Sequence, residues 1–291
     1  MDYDTIRQAK ENELNFCRSW STKVIEIADI KAQFIFCKDF RDDYFLNRLI
    51  FHDGQIFQSY REHDFCKVLD QLNRIGKDYG IDIYFHIGET ELWIEEILQR
   101  NGIFAIDKVN GMIYENNGPR KILSKSQTKF KRQFVKNHET NYKLIDVTNE
   151  SDYLMWTDTY RKSFDMKATL SKKILKHVMD KRFCESSFII YRADTITGST
   201  TNQLISQGCC MFYRNRNTNT IGIYCLGTIK SSRRFGIAST LIQAGIRYAI
   251  QIGLSPLCIQ TLQSDNLGLF YEKNGFKKVY TNYIYKMPVH R

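Results

Sequence analysis

The stretch SSRRFGIASTLI (231–242) runs from basic and small residues into apolar ones at helical spacing. The run before it, IGIYCLGTI (221–229), is almost wholly apolar and reads as a buried strand. Leu241, Ile242, Ile246 and the apolar residues of 248–250 extend the helical spacing, which predicts a helix over 236–252. A strand, a short loop and a helix start therefore meet at Arg233 to Gly236. The first amides of a helix have no intrahelical acceptor, and the helix dipole adds partial positive charge there. Gly236 and Ala238 let a bulky anion approach the backbone closely. Such a junction suits a pyrophosphate, with Arg233 and Arg234 available for charge-assisted contacts. Arg-x-x-Gly-x-Ala alone also describes many ordinary helix starts, so its surroundings must decide.

Strands are predicted at 141–147, 187–192, 203–213, 219–229 and 256–262, with a last strand pair over 276–287. Helices are predicted at 150–164, 171–182 and 236–252, and a short one at 265–274. The pattern is mixed α/β of the α+β class, with helices packed on a mainly antiparallel sheet. Gly222 and Gly227 lie inside a strand, where glycine marks a bulge or a close approach of another backbone.

The chain has 291 residues, 43% hydrophobic and 25% charged, which is ample for one large domain or two smaller ones. Its charge is uneven. Residues 1–118 hold 14 Lys and Arg against 21 Asp and Glu, and residues 119–291 hold 28 against 11. A basic half calls for an anionic partner. Pro119 and the tract PRKILSKSQTKFKRQFVK divide the halves and read as a solvated basic connector helix. Eight cysteines without a CxxC pair, and six histidines without ligand spacing, predict neither disulfides nor a metal site. No apolar run reaches membrane-spanning length, and the polar, acidic start MDYDTIRQAKENELNF lacks a secretory signature, so a cytoplasmic protein is expected.

Sliding the chain by 173 residues exposes a repeat. Gly253 falls on Gly80, Asn274-Gly275 on Asn101-Gly102, and Arg247 on Arg74. The order helix, Gly, apolar strand, short helix, Asn-Gly, strand is common to 61–115 and 234–287. The copy is unfaithful where the chemistry would lie: Arg233 falls on Tyr60, Gly236 on His63, Ala238 on Phe65 and Tyr271 on Leu98. If the halves share a fold, the second carries the activity.

With these residues in place, the region 141–287 resembles the GCN5-related N-acetyltransferase (GNAT) family. The family's phosphate signature, Q/R-x-x-G-x-G/A, is met by Arg233, Gly236 and Ala238. Its later motif is met by Tyr271-Glu272-Lys273-Asn274-Gly275-Phe276. The whole chain looks like a tandem branch of the family: a degenerate module over 1–118, a basic connector over 119–140 and a catalytic domain over 141–291. The resemblance implies two acyl-CoA N-acyltransferase-like modules and acetyl-CoA as co-substrate, lying between the strands near 221–229 and 256–262. Backbone groups of Leu226, Gly227 and Thr228 would take the pantetheine arm, and amides of Arg234, Phe235, Gly236, Ile237, Ala238 and Ser239 the pyrophosphate. Ser264 stands where many members have a cofactor-contacting Asn, and Asn266 is the alternative. Tyr271 would protonate the departing thiolate, since a phenol of pKa about 10 keeps its proton at neutral pH.

The acceptor implied is a primary amine, on a small molecule or on a protein lysine or N-terminus. Asp165, Glu185 and Asp265 are candidate bases, each also readable as a solvated or capping acid, while Cys225 and Cys258 read as strand core. A CoA-binding or protein-interaction module without turnover is the competing reading. Nucleic acid is not an expected partner, because no recognition motif accompanies the basic half.

Overall fold

The computed structural model describes residues 3–27, 32–51, 62–88, 92–114, 134–137, 140–180, 183, 186–194 and 205–289. In chain order the elements are α1 (Tyr3–Trp20), β1 (Lys23–Ile27), β2 (Ala32–Phe36), β3 (Arg48–Phe51), α2 (Glu62–Tyr79), β4 (Ile83–Gly88), α3 (Leu92–Arg100), β5 (Ala105–Tyr114), β6 (Phe134–Asn137) and β7 (Thr140–Asp146). They continue with α4 (Glu150–Ser163), α5 (Ser171–Val178), β8 (Ser187–Asp194), β9 (Ile205–Asn215), β10 (Thr220–Thr228), α6 (Ile237–Ile252), β11 (Leu257–Leu262), α7 (Gly268–Lys273) and β12 (Lys277–Met287). The chain divides into two compact units. One gathers the described residues of Met1–Asn12, Ile113–Ile259 and Lys273–Phe276; the other gathers those of Glu13–Met112, Gln260–Glu272 and Lys277–Arg291.

In the first unit the strand order is β11-β10-β9-β8-β7-β6. The pairs from β6 to β10 are antiparallel, and β10 with β11 is parallel. Helix α6 forms because Ile237, Leu241, Ile242, Gly245, Ile246 and Ala249 align on one buried face. Gly245 lets it come close, since a side chain there would meet Ile223 and Phe212 at 2.9 Å. On α4, Trp156 is fully buried and donates its indole N–H to the Cys210 carbonyl at 2.9 Å, which fixes that helix to β9. Within the connector the described residues 134–137 are strand β6, not helix, paired with β7. Pro119 and the remainder of that tract lie outside the described residues.

In the second unit the order is β1-β2-β3-β4-β12-β5, and α2 and α3 cover an apolar core that includes Phe34, Phe65, Leu72, Phe85, Ile94 and Leu98. The expected strand pair over 276–287 is instead one eleven-residue strand, β12. Its second half runs continuously against β4, from Asn282 opposite Gly88 to Met287 opposite Ile83, so the ladder leaves no room for a turn. Tyr280 lies over Gly111 of β5, whose missing side chain makes space for the ring.

The 173-residue repeat is present in the backbone. Ile221 opposite Leu257 and Gly222 opposite Cys258 fall on Arg48 opposite Tyr84 and Leu49 opposite Phe85, and both sets are parallel pairs. The bond that closes α6, Leu254 N–H to Ala249 C=O at 3.0 Å, falls on Ile81 N–H to Gly76 C=O at 3.1 Å, which closes α2. Gly253 and Gly80 are both left-handed, at φ 71° and 62°, as are Gly275 and Gly102, at 91° and 71°.

Where β10 carries Ile221, β3 carries Arg48, 1% exposed. Its Nη1 donates to Glu13 Oε1 at 2.7 Å and to His86 Nδ1 at 2.6 Å, and Tyr280 donates to Glu13 Oε2 at 2.6 Å. Burial, and then the neighbouring Arg48 cation, hold His86 neutral well below the usual imidazole range. Its Nε2–H is then the donor to the Tyr44 carbonyl at 2.9 Å. Arg48→Ala would strand the Glu13 carboxylate in this core, and we expect a loss of about 3–5 kcal/mol in urea unfolding. Replacing Glu13 with Gln in the same chain should recover part of it.

Candidate active site

The site is built at the end of β10. Its ladder to β9 is interrupted between Tyr224 and Gly227, with Cys225 left-handed at φ 52°. This is a β-bulge. On the other side, the register with β11 covers only Ile221 opposite Leu257 and Gly222 opposite Cys258. From Ile223 onward that edge of β10 has no registered partner among the described residues. An extended ligand can join such an edge as an added strand. The two strand glycines admit neighbours: a side chain at Gly222 would strike Tyr224 and Asn12, and one at Gly227 would lie 2.6 Å from Ser163 Cβ and 3.1 Å from the Phe164 ring.

After β10, a short 3-10 turn (Lys230–Ser232) leads to Arg233 in extended conformation and Arg234 at φ 70°. Arg234 is a non-glycine residue in the left-handed region, a conformation that persists only where its surroundings impose it. Gly236 follows at φ 76° as the N-cap of α6, and no side chain caps the helix. The amides of Ile237, Ala238 and Ser239 thus lack both intrahelical acceptors and a cap. Residues 233–236 are exposed, Phe235 at 73%, and nothing lies within 4 Å of where a Gly236 Cβ would stand. Ile237, buried, anchors the helix start against Gly208. Arg234 extends from this loop with no ion pair among the described residues. Arg233 is held: its Nε donates to the Thr228 carbonyl at 3.2 Å and its Nη2 to the Ser163 carbonyl at 2.9 Å. Asp165, one of the candidate bases, pairs with Lys230 at 2.7 Å. Cys225 is half-buried in the bulge; Cys258 is fully buried.

The remaining predicted residues belong to the second unit. The Ser264 hydroxyl donates to Asp107 Oδ2, and the Ser264 amide donates to Asp107 Oδ1 at 3.3 Å. Asn266, at φ 55°, closes the turn by donating to the Ser264 carbonyl at 3.3 Å. Partial burial, reinforced by Asp107, raises the Asp265 carboxyl above its ordinary range. Tyr271 is 6% exposed on α7, and burial followed by the Asp265 charge pushes its phenol well above 10. The phenol therefore stays protonated throughout the neutral and mildly alkaline range. Glu185 lies outside the described residues. Ser163, Phe164 and Asp107 were not legible as neighbours of these positions; Gly227 signals a close approach without naming what approaches.

Residues 158–276 match the acetyltransferase (GNAT) family. This segment is a GNAT domain. It spans the bulged strand, the uncapped helix start and Tyr271. The chain is similar in fold to a GCN5-related N-acetyltransferase from Kribbella flavida, with TM-score 0.64 and 11% identity, covering 98% of this chain and 95% of that one. One from Sphaerobacter thermophilus gives 0.61 and 10%, covering 99% and 91%. A tandem GNAT protein from the clavulanic acid biosynthesis pathway gives 0.59 and 7%, covering 89% and 79%. No curated protein matches the chain. No helix among the described residues is long and apolar enough to cross a membrane.

Proposed function

We propose that the chain is an N-acetyltransferase that moves an acetyl group from acetyl-CoA to a primary amine by direct attack in a ternary complex. The observation that carries the reading is the pairing of an open, bulged strand edge with an uncapped helix start whose loop is exposed and left-handed at Arg234 and Gly236. Acetyl-CoA supplies the activated thioester. Backbone groups of Leu226, Gly227 and Thr228 hold its arm as an added strand, and one of their amides polarises the reacting carbonyl. The amides from Arg234 through Ser239 hold the pyrophosphate, with the Arg234 guanidinium beside them. Arg233 belongs to this set through the loop it secures. Ser264 and Asn266 are assigned as further cofactor contacts. Tyr271 donates the proton that the leaving thiolate needs. No metal enters this scheme. The catalytic domain is 141–291, the degenerate module 1–118 and the connector 119–140, and the site of action is cytoplasmic.

The test is thiol release from acetyl-CoA over a panel of small amines, lysine peptides and free N-terminal peptides. Amine-dependent release with intersecting initial-rate lines is the expected result. Parallel lines would replace direct attack with an acetylated enzyme, and tight CoA binding with no release under any amine would make the chain a binding module.

A further inference from the structure

We propose that Arg233 is a positioning residue for acyl transfer: it latches the cradle loop to the end of α4 and so sets where Phe164 stands beside the bulged strand. The inference rests on the acyltransferase reading above. A guanidinium presents its donors as a rigid fork. Here one donor goes to the carbonyl of Thr228, the last residue of β10, and another to the carbonyl of Ser163, the last residue of α4. A helix-end carbonyl lacks an intrahelical donor, and a cation at that end is also favoured by the helix dipole. Arg233 thus ties together two element ends at the point where the cradle loop leaves the sheet.

What the latch holds is adjacent to the proposed chemistry. Ser163 is buried directly over Gly227, and the Phe164 ring touches the same glycine while remaining 48% exposed. Behind it, Phe164 packs on Tyr160 at 5.0 Å between centroids, and Tyr160 stacks on Trp156 at 5.2 Å. Trp156 is fixed to β9 by its indole bond. The rear of the ring is therefore anchored and its front is open. Arg161 holds the next turn by donating to the Met166 carbonyl at 3.2 Å. The Lys230–Asp165 ion pair repeats the link between the same two segments, although its exposure makes it weak. A phosphate ligand needs mainly its charge; this latch needs the fork.

Arg233→Lys separates the two roles because it keeps the charge and loses the fork. We expect CoA affinity by calorimetry to stay within about twofold of the unmodified chain, with faster hydrogen exchange over 160–166. In turnover, kcat should fall about 10- to 100-fold with little change in the KM for acetyl-CoA. Arg234→Ala should do the reverse, weakening CoA about tenfold with a smaller salt dependence and leaving exchange at 160–166 unchanged. If Arg233→Lys retains kcat and exchange while Arg233→Ala weakens CoA as Arg234→Ala does, Arg233 is a phosphate ligand and the proposal is overturned. Unchanged exchange at 160–166 in both Arg233 variants overturns it as well. Should Arg233→Ala not fold, Phe164→Ala is the second arm: it should raise the preference for butyryl-CoA over acetyl-CoA, and an unchanged preference counts against the latch. The binding and exchange measurements need no acceptor. A chain that binds CoA but shows no amine-dependent release therefore fails the function reading while still deciding the latch.

Discussion

Gly236→Glu is expected to lose CoA binding by more than about 10³-fold, since a like charge set against a phosphate costs several kcal/mol. Gly236 caps α6 at φ 76° with nothing within 4 Å of the position a side chain would take. An added Cβ meets no protein atom there, so the main cost to the fold is the left-handed strain, about 1–2 kcal/mol. The new carboxylate is carried by the N-cap residue itself, next to the uncapped amides. Gly236→Ala should give an intermediate loss from sterics alone. Gly253 is the internal control: it is left-handed at φ 71°, also has nothing within 4 Å, and lies at the other end of the same helix. Gly253→Ala carries the same strain and should leave CoA binding intact. Ligand-induced stabilisation reads both effects at once. Saturation to 100 Kd adds about 2.7 kcal/mol to a protein that binds and nothing to Gly236→Glu. Retained CoA stabilisation in Gly236→Glu would remove the loop from the site.

The part of this architecture that local pattern encodes is the part that local physics determines. The bulged strand, read at 219–229, is Thr220–Thr228, and the helix read at 236–252 is Ile237–Ile252. Both are fixed by runs of apolar residues at one spacing, and the helix also by Gly236 and Gly253 at its ends. The repeat was legible for the same reason, because left-handed caps at Gly80, Gly102, Gly253 and Gly275 tolerate few other residues. What pattern does not encode is long-range pairing. Nothing in KKVYTNYIYKM announces that its second half lies against Ile83–Gly88, so the absence of a turn in it was missed. Side-chain partners across long separations were equally hidden. Ser264 gives its hydroxyl to an aspartate 157 positions away. The partners of Arg233 are two carbonyls, which carry no residue identity at all. Its side-chain type suggested phosphate, and nothing in its sequence context named the Thr228 and Ser163 carbonyls that it reaches. Arg48 is the converse, a buried cation that opens the strand RLIF, whose partners Glu13 and His86 come from separate elements.

Tyr271→Phe should lower kcat about 10²- to 10³-fold while leaving CoA affinity and folding unchanged, the size usual for loss of a general acid. The phenol is buried, and burial joined by the Asp265 charge raises its pKa. A raised phenol keeps its proton over the whole range in which an amine can be assayed, so the donor form does not run out as pH rises toward 10. The sign of the pH effect follows. Loss of rate through ionisation of Tyr271 belongs above the ordinary tyrosine value, and any alkaline limb below it must come from another group. Asp265→Asn removes the charge that disfavours the phenolate and should move the Tyr271 ionisation to lower pH, without moving it to the ordinary value because burial is the larger cause. The same variant leaves the proton donor itself in place, so kcat at neutral pH should change far less than in Tyr271→Phe. If Tyr271→Phe turns over at the unmodified rate with unmodified CoA affinity, the phenol is packing for α7 and the proton reaches the thiolate by another route.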